Sequence, residues 1–499
     1  MNGITMKEYL AEESNIAFTE NGAAAIASSG SSVLDLFAAA GALRQASDEE
    51  IIKRFIRAYS EDRDLSLKLL FYARDVRGGL GERRFFRVIL RWLAFNEKSA
   101  ALKNIGYVAG FGRFDDLLAL FGTPCEDEAA KLLKKAFYAD MRALEKGERV
   151  SLLGKWLPSV NTSNKESVAL GKKLARVFGL SQASYRKALS SLRAAVRIIE
   201  NNLREKDYTF DYAKQPSRAM FKYRKAFFRN DGERYGEFLS AVEKGEATMH
   251  ADNVAPYELV DPYLRRSAYG VFHDMSEEEK RTLNATWESL PDFCGENPEN
   301  ALAVIDGSGS MYWGGQPLAA SVALSLGLYF AGRNRGAFSN SFITFSETPR
   351  LIELKGDAFA DRLRYAASFN ECANTDIDAV FKLVLSAAVK NKVPQNEMPS
   401  KLYIISDMEF DCCAENASAT NFENAKKNFK AHGYKLPQIV FWNVESRNAH
   451  QSVTMNEQGV ALVSGVTPRL FAQAQSGELS PYKFMLETLL SERYSAIAA

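Results

Sequence analysis

The sequence predicts a multidomain chain. An all-α helical-repeat module spans about residues 33–295, a doubly wound α/β domain spans 296–499, and an irregular arm, residues 1–32, stands in front. Three observations predict this. From about residue 33 to 244, apolar residues recur at the i, i+3/i+4 spacing of amphipathic helices. Past Asn300 the pattern changes to short apolar runs alternating with helical stretches, as in βαβ units. Between the two, Pro256, Pro262, Pro291 and Pro298 break up a bridging segment around one helix near residues 276–289.

Composition narrows the classes. A chain of 499 residues with a net charge of +1 has no global excess for nucleic acid or membrane, so any binding patch must be local. No apolar run approaches the ~20 residues needed to span a bilayer. The start, MNGITMKEYL, lacks a basic stretch followed by an apolar core. Cys125, Cys294, Cys372, Cys412 and Cys413 are odd in number and irregularly spaced, which reads as reduced thiols rather than a zinc pattern. A cytoplasmic protein is expected.

The arm is small and polar, with Asn21-Gly22 and residues 28–32 as breakers. Ser47, followed by Asp48 and Glu50, starts a helix well. One apolar face then carries Ile51, Phe55, Ile56 and Tyr59, another Leu65, Leu69 and Tyr72, a third Phe85, Ile89, Trp92 and Leu93. Helices of this length joined by short turns predict stacked antiparallel pairs, HEAT-like in architecture though without a fixed period. The glycines of RDVRGGLGERR follow a helix and end in Glu-Arg, which reads as an inter-helix turn rather than a phosphate loop. Trp156 reads as a buried anchor, with base stacking as the alternative.

Residues 181–236 depart from neutrality, with 13 Lys/Arg against 6 Asp/Glu, interleaved with aromatic residues. The densest part is PSRAMFKYRKAFFRND, residues 216–231. Arg218, Lys222, Arg224, Lys225 and Arg229 fall on one flank of a helix there. Positive charge beside aromatic faces suits single-stranded RNA, by phosphate neutralisation and stacking. A solvated basic face, or one ion-paired within the protein, is the other reading.

In the α/β half, residues 301–311 (ALAVIDGSGSM) deliver Asp306, Ser308 and Ser310 onto a glycine-rich turn ahead of a long apolar helix. Ligands sit at such turns, at the carboxyl ends of sheet strands. Thr375 precedes another apolar helix, and KLYIIS, Lys401–Ser406, ends in Asp407. One carboxylate and two hydroxyls, joined by a further hydroxyl and carboxylate, suit a small hard cation. Helix-capping Ser and Asp without metal would look similar in sequence. Glu409 and Asp411 read as solvated loop acids or caps.

The triplet Asp306-Ser308-Ser310, Thr375 and Asp407 resembles the metal-ion-dependent adhesion site of von Willebrand factor A domains. That resemblance implies Mg²⁺ or Mn²⁺ held by Ser308, Ser310 and, in some states, Thr375. Asp306 and Asp407 would act mostly through water, and an acidic side chain of a protein partner would complete the coordination. Cys372-Ala373-Asn374 stands where many members carry glycine.

The NGAAAIASSGSSVLDLF arm, the RDVRGGLGERR turn and the PSRAMFKYRKAF segment, together with the metal triplet, resemble the Ro autoantigen family of TROVE-module RNA-binding proteins. The resemblance implies helical repeats binding small structured or single-stranded RNA, with Arg218, Lys222, Arg224, Lys225 and Arg229 as contact candidates. RNA is thus the expected partner, with neither DNA nor membrane. The alternative is a metal-dependent protein interaction module without RNA. No Ser-His-Asp set, HExxH or P-loop stands in the sequence, and an enzyme is not expected.

Overall fold

Two groups of strands organise the architecture. A hairpin pairs β1 (Ile16–Phe18) with β2 (Ala24–Ile26), and a six-stranded sheet runs β5-β4-β3-β6-β7-β8. Here β3 is Ala301–Asp306, β4 Ser341–Phe345, β5 Leu351–Glu353, β6 Lys401–Ser406, β7 Gln438–Asn443 and β8 Val460–Ser464. The computed structural model describes residues 15–196, 199–264, 272–296, 299–346, 348–369, 375–411, 420–475 and 479–499. The first part of the arm, Pro298, Cys372-Ala373-Asn374 and Cys412-Cys413 lie outside them.

Packing divides the chain into two compact units, one of Met1–Ser66 with Pro216–Arg493, the other of Leu67–Gln215 with Tyr494–Ala499. These are drawn differently from the expected domains at 1–32, 33–295 and 296–499. The 66/67 division falls inside the helix Arg63–Arg74.

In the first unit every pair of neighbours from β4 to β8 is parallel, and β5 joins β4 antiparallel at the edge. The sheet is therefore mixed. A three-residue strand, LIE, returns directly from β4, too short a connection for the helical crossover a parallel pair needs. The central strands β3 and β6 are buried along their whole length, which is why they read as unbroken apolar runs. Strand order reverses between β3 and β6, so their carboxyl ends form a crevice where ligands bind in open α/β sheets.

The helix Ala319–Arg333 lies directly on this sheet and is apolar almost all round. A Cβ on Gly327 would fall 2.3 Å from Ile305 Cδ1 of β3, so only glycine lets the helix approach this closely. Gly327→Val is expected to cost about 1–3 kcal/mol by overpacking, read as a lowered melting temperature. An unchanged melting temperature would show that the helix can back away freely.

The N-terminal stretch is built into this unit. After the hairpin, Ser31 caps the helix Ser32–Ala39, and Ser47 caps Asp48–Glu61, its Oγ accepting from Glu50 N at 3.1 Å. Ser464 Oγ, at the end of β8, donates to Phe37 O (3.1 Å) and accepts from Gly41 N (3.0 Å). A side chain on Gly41 would meet the backbone at residues 464 and 465 within 2.7 Å. The helix Glu277–Glu288 belongs here too, its Trp287 ring stacked 3.5 Å over Phe359.

In the second unit the described residues are helical. Phe137 of the helix Glu126–Glu145 stacks on Phe178 with ring centroids 4.6 Å apart. Gly179, at φ +76°, ends the helix Lys165–Phe178. The RGGLG turn is internally satisfied: Leu80 N donates to Tyr72 O (3.1 Å) and Glu82 N to Ala73 O (2.6 Å). A Cβ on Gly79 would lie 1.9 Å from Tyr72 O, so the glycine serves a tight helix exit. Trp156 is half-buried, with the Arg113 guanidinium over its ring at 4.0 Å. No helix of the described residues is long and apolar enough to cross a membrane.

Candidate functional site

The carboxyl ends of β3 and β6 assemble a corner of oxygen donors. Asp306 closes β3, and Gly307 and Gly309 carry the chain round into a short 3-10 turn, Gly309–Tyr312. Asp306 Oδ1 accepts from Ser308 N at 2.9 Å, and its Oδ2 accepts from Ser406 Oγ at 2.5 Å. Ser308 Oγ and Ser310 Oγ are 3.0 Å apart, and Ser310 Oγ donates to Asp407 Oδ2 at 2.9 Å. Four of the five predicted residues thus form one connected group.

Thr375 joins through a residue the sequence did not flag. Asn21 Nδ2 donates to Thr375 Oγ1 (3.1 Å) and to Glu409 O (2.7 Å). Asp376 is taken up as the N-cap of Ile377–Asn391, its Oδ1 accepting from Ala379 N at 2.9 Å.

Glu409 corrects an expectation. It is buried rather than a solvated loop acid, and follows Met408 at φ +69°. Its carboxylate accepts from Glu20 N (2.7 Å) and Asn448 Nδ2 (3.0 Å) and lies 3.2 Å from His450 Nε2. Arg447 was also missed. Its guanidinium touches Asp407 Oδ2 and reaches Glu20 Oε2 at 3.2 Å. Glu445, Arg447 and His450 all follow β7, the next strand along the same sheet edge. That placement is the signal that could have found them.

The electrostatics are lopsided. Asp407, Glu20, Glu409 and Glu445 gather about the Arg447 guanidinium, and Asp306 lies beside Asp407. Asp306 is only 1 % exposed. Burial, and then the charge of Asp407, push its carboxyl up to about 7. Burial also pushes Asp407 upward, against the pull of Arg447. Glu445 rises through burial as well, with Arg447 opposing and Asp407 adding to it. Burial would raise Glu409 too, but hydrogen bonds from His450, Glu20 N and Asn448 hold it below its ordinary range. Two buried carboxylates and the linked Ser308 and Ser310 hydroxyls, with Thr375 tied in through Asn21, are the oxygen chemistry a hard divalent cation takes. Among the described residues no group of three or more His, Cys, Asp or Glu is disposed to hold a metal.

The basic residues are placed differently. All five lie on the helix Ser217–Glu243, which kinks at Asp231. Arg218 Nε pairs with Glu258 at 2.7 Å, and Lys225 pairs with Glu279 at 3.1 Å. The Arg224 side chain is only 11 % exposed, and it donates to Phe221 O (2.6 Å) and Tyr263 OH (3.2 Å). Lys222 and Arg229 are exposed. Separately, in the second unit, an open cleft of about 1350 Å³ is lined by Arg186, Lys187, Arg204 and Lys214 and by the acids Glu205, Asp207 and Asp211, of which Glu205 pairs with Arg204 and Asp211 with Lys214.

Two family models match the chain. One, described as "Domain of unknown function (DUF2828)", matches residues 19–129 and 178–292; the other, "Domain of unknown function (DUF7788)", matches residues 300–475. The second begins immediately ahead of β3 and contains all five corner residues and Arg447. Uncharacterized protein L728 of Acanthamoeba polyphaga mimivirus is 27% identical over 515 residues, covering 95% of this chain and 87% of that one. The crystal structure of the Deinococcus radiodurans Ro (RSR) protein aligns over 92% of this chain and 93% of its own, at 12% identity and a TM-score of 0.36.

Proposed function

We propose that this protein is a non-catalytic binding scaffold of the Ro/TROVE type. Its corner takes Mg²⁺ or Mn²⁺ and, through the ion, an acidic group of a ligand, and its helical surface binds RNA. One observation supports the first half: Asp306, Ser308, Ser310 and Asp407 form a connected set at the point of strand-order reversal. Ser308 and Ser310 would hold the ion, with Asp306 and Asp407 behind them and Thr375 tied to the corner through Asn21. The ion would supply a Lewis-acidic site for a carboxylate. The RNA half is supported by the resemblance and by exposed cations on each unit taken by itself, Lys222 and Arg229 on the first and Arg186 and Lys187 on the second.

A second reading, a metal-dependent protein interaction module without RNA, is favoured by the ion pairing of Arg218 and Lys225 and the burial of Arg224. Trp313, three residues past the corner and 61 % exposed, is an anchor of the kind protein interfaces use.

Anisotropy with labelled single-stranded RNA separates the two. Four phosphate contacts predict an affinity falling about fiftyfold between about 50 mM and 200 mM salt, and weakening on Lys222→Glu/Arg229→Glu or Arg186→Glu/Lys187→Glu. Chelation should leave RNA binding unchanged. Absence of binding at the lower salt removes the RNA half and leaves the adhesion reading.

A further inference from the structure

The tip of the β1–β2 hairpin lies on the corner. Thr19 Oγ1 donates to Phe410 O at 2.5 Å, and Gly22 makes an isolated antiparallel bridge with Asp411, seating the turn against the loop after β6. At the turn, Glu20 N donates to Glu409 Oε2 (2.7 Å), and Asn448 Nδ2 reaches both Glu20 Oε1 (3.1 Å) and Glu409 Oε1 (3.0 Å). Asn21 holds Thr375 Oγ1, and Arg447 links Glu20 to Asp407. Two of the five oxygen donors, Thr375 and Asp407, are thereby engaged by the hairpin tip or by the arginine that the tip holds.

We propose that Glu20-Asn21 is an intramolecular ligand of the corner, clamped there by Arg447, and that a divalent cation competes with this clamp. The inference rests on the metal reading of the corner. Arg447 supplies the positive charge at Asp407 that a cation would otherwise supply, and like charges cannot share one carboxylate without mutual cost. Glu20 turns its carboxylate to Arg447 and Asn448, and Asn21 turns its amide to Thr375 Oγ1 and Glu409 O. The coupling is reciprocal: whatever loosens the tip strengthens cation binding by the same factor that the cation loosens the tip.

Mn²⁺ titration followed by calorimetry or electron paramagnetic resonance, on the full chain, tests this. Arg447→Gln, and separately Glu20→Gln/Asn21→Ala, are expected to bind Mn²⁺ about 5–150-fold more tightly than wild type, the usual range of coupling between sites. In wild type, Mn²⁺ is expected to speed hydrogen exchange of the amides in residues 16–26. Affinities equal to wild type with unchanged hairpin exchange overturn the clamp while leaving the corner as a metal site. Weaker binding on Glu20→Gln/Asn21→Ala also overturns it, because Glu20 would then be helping to hold the ion. If Mn²⁺ binds neither wild type nor variants, the metal reading itself falls, and the clamp with it.

Discussion

Asp306→Asn is expected to weaken Mn²⁺ binding about 10–100-fold, the usual effect of losing an outer carboxylate that orients the ligands. Both oxygens of Asp306 are engaged, one by Ser308 N and the other by Ser406 Oγ, so it shapes the turn that aims Ser308 and Ser310. The same change should alter stability in the opposite sense. Burial and Asp407 raise the folded-state value of Asp306 to about 7, above its ordinary 3.8. Between those values the folded chain holds a proton that the unfolded chain has released. Stability of the chelated protein should therefore fall as pH rises from about 4 to 7, then level off. Asp306→Asn should flatten that slope and raise the melting temperature near neutrality. Cation and proton compete for the same group, so wild-type Mn²⁺ affinity should fall as pH drops below about 7. A slope unchanged by the substitution would show that the folded-state value of Asp306 is not raised.

The other large effect lies in the second unit. Asp116 has 0 % exposure, and its carboxylate accepts from Arg74 Nε (2.8 Å), Arg87 Nε (2.7 Å) and Arg113 N (2.8 Å). Arg74 is itself buried, so Asp116→Ala strands its guanidinium without water or an acid. Breaking one side of a buried pair costs about 3–5 kcal/mol. For a unit of this size that is a fall of about 6–20 °C in its melting temperature, read by calorimetry. Asp115→Ala, which leaves Arg87 its second acid, should cost about 1 kcal/mol or less. Equal losses from the two would show that Arg74 is solvated after all.

What could be read in advance was local chemistry. Ser47 caps a helix because its hydroxyl meets an amide three residues on, and β3 and β6 announce themselves because both faces are covered. The corner was legible for the same reason: each of its segments is a strand end or a helix start with oxygen-bearing side chains. What stayed hidden depends on distant pairings. Residues 16–26 are two short alanine-rich runs around Thr19-Glu20-Asn21-Gly22 and carry little strand signal, and Thr19 finds its partner 391 positions away at Phe410. Arg447 looks like any loop arginine until the parallel order of β6 and β7 sets it beside Asp407. The run of positive charge in residues 216–231 overstated its freedom, because Glu258 and Glu279 come from later segments that composition alone cannot align with it. The edge strand β5, three residues long, was too brief for any periodic pattern.

Because Phe37 and Gly41 are bonded to the end of β8, the sheet half cannot be excised as one contiguous fragment. A truncation starting near residue 296 would strip the cover from β8 and take the hairpin away from the corner. To isolate this half, an experimenter would have to co-express residues 1–66 with residues 216–493 or join them by a linker, and a shorter piece that aggregates would say nothing about the corner's chemistry.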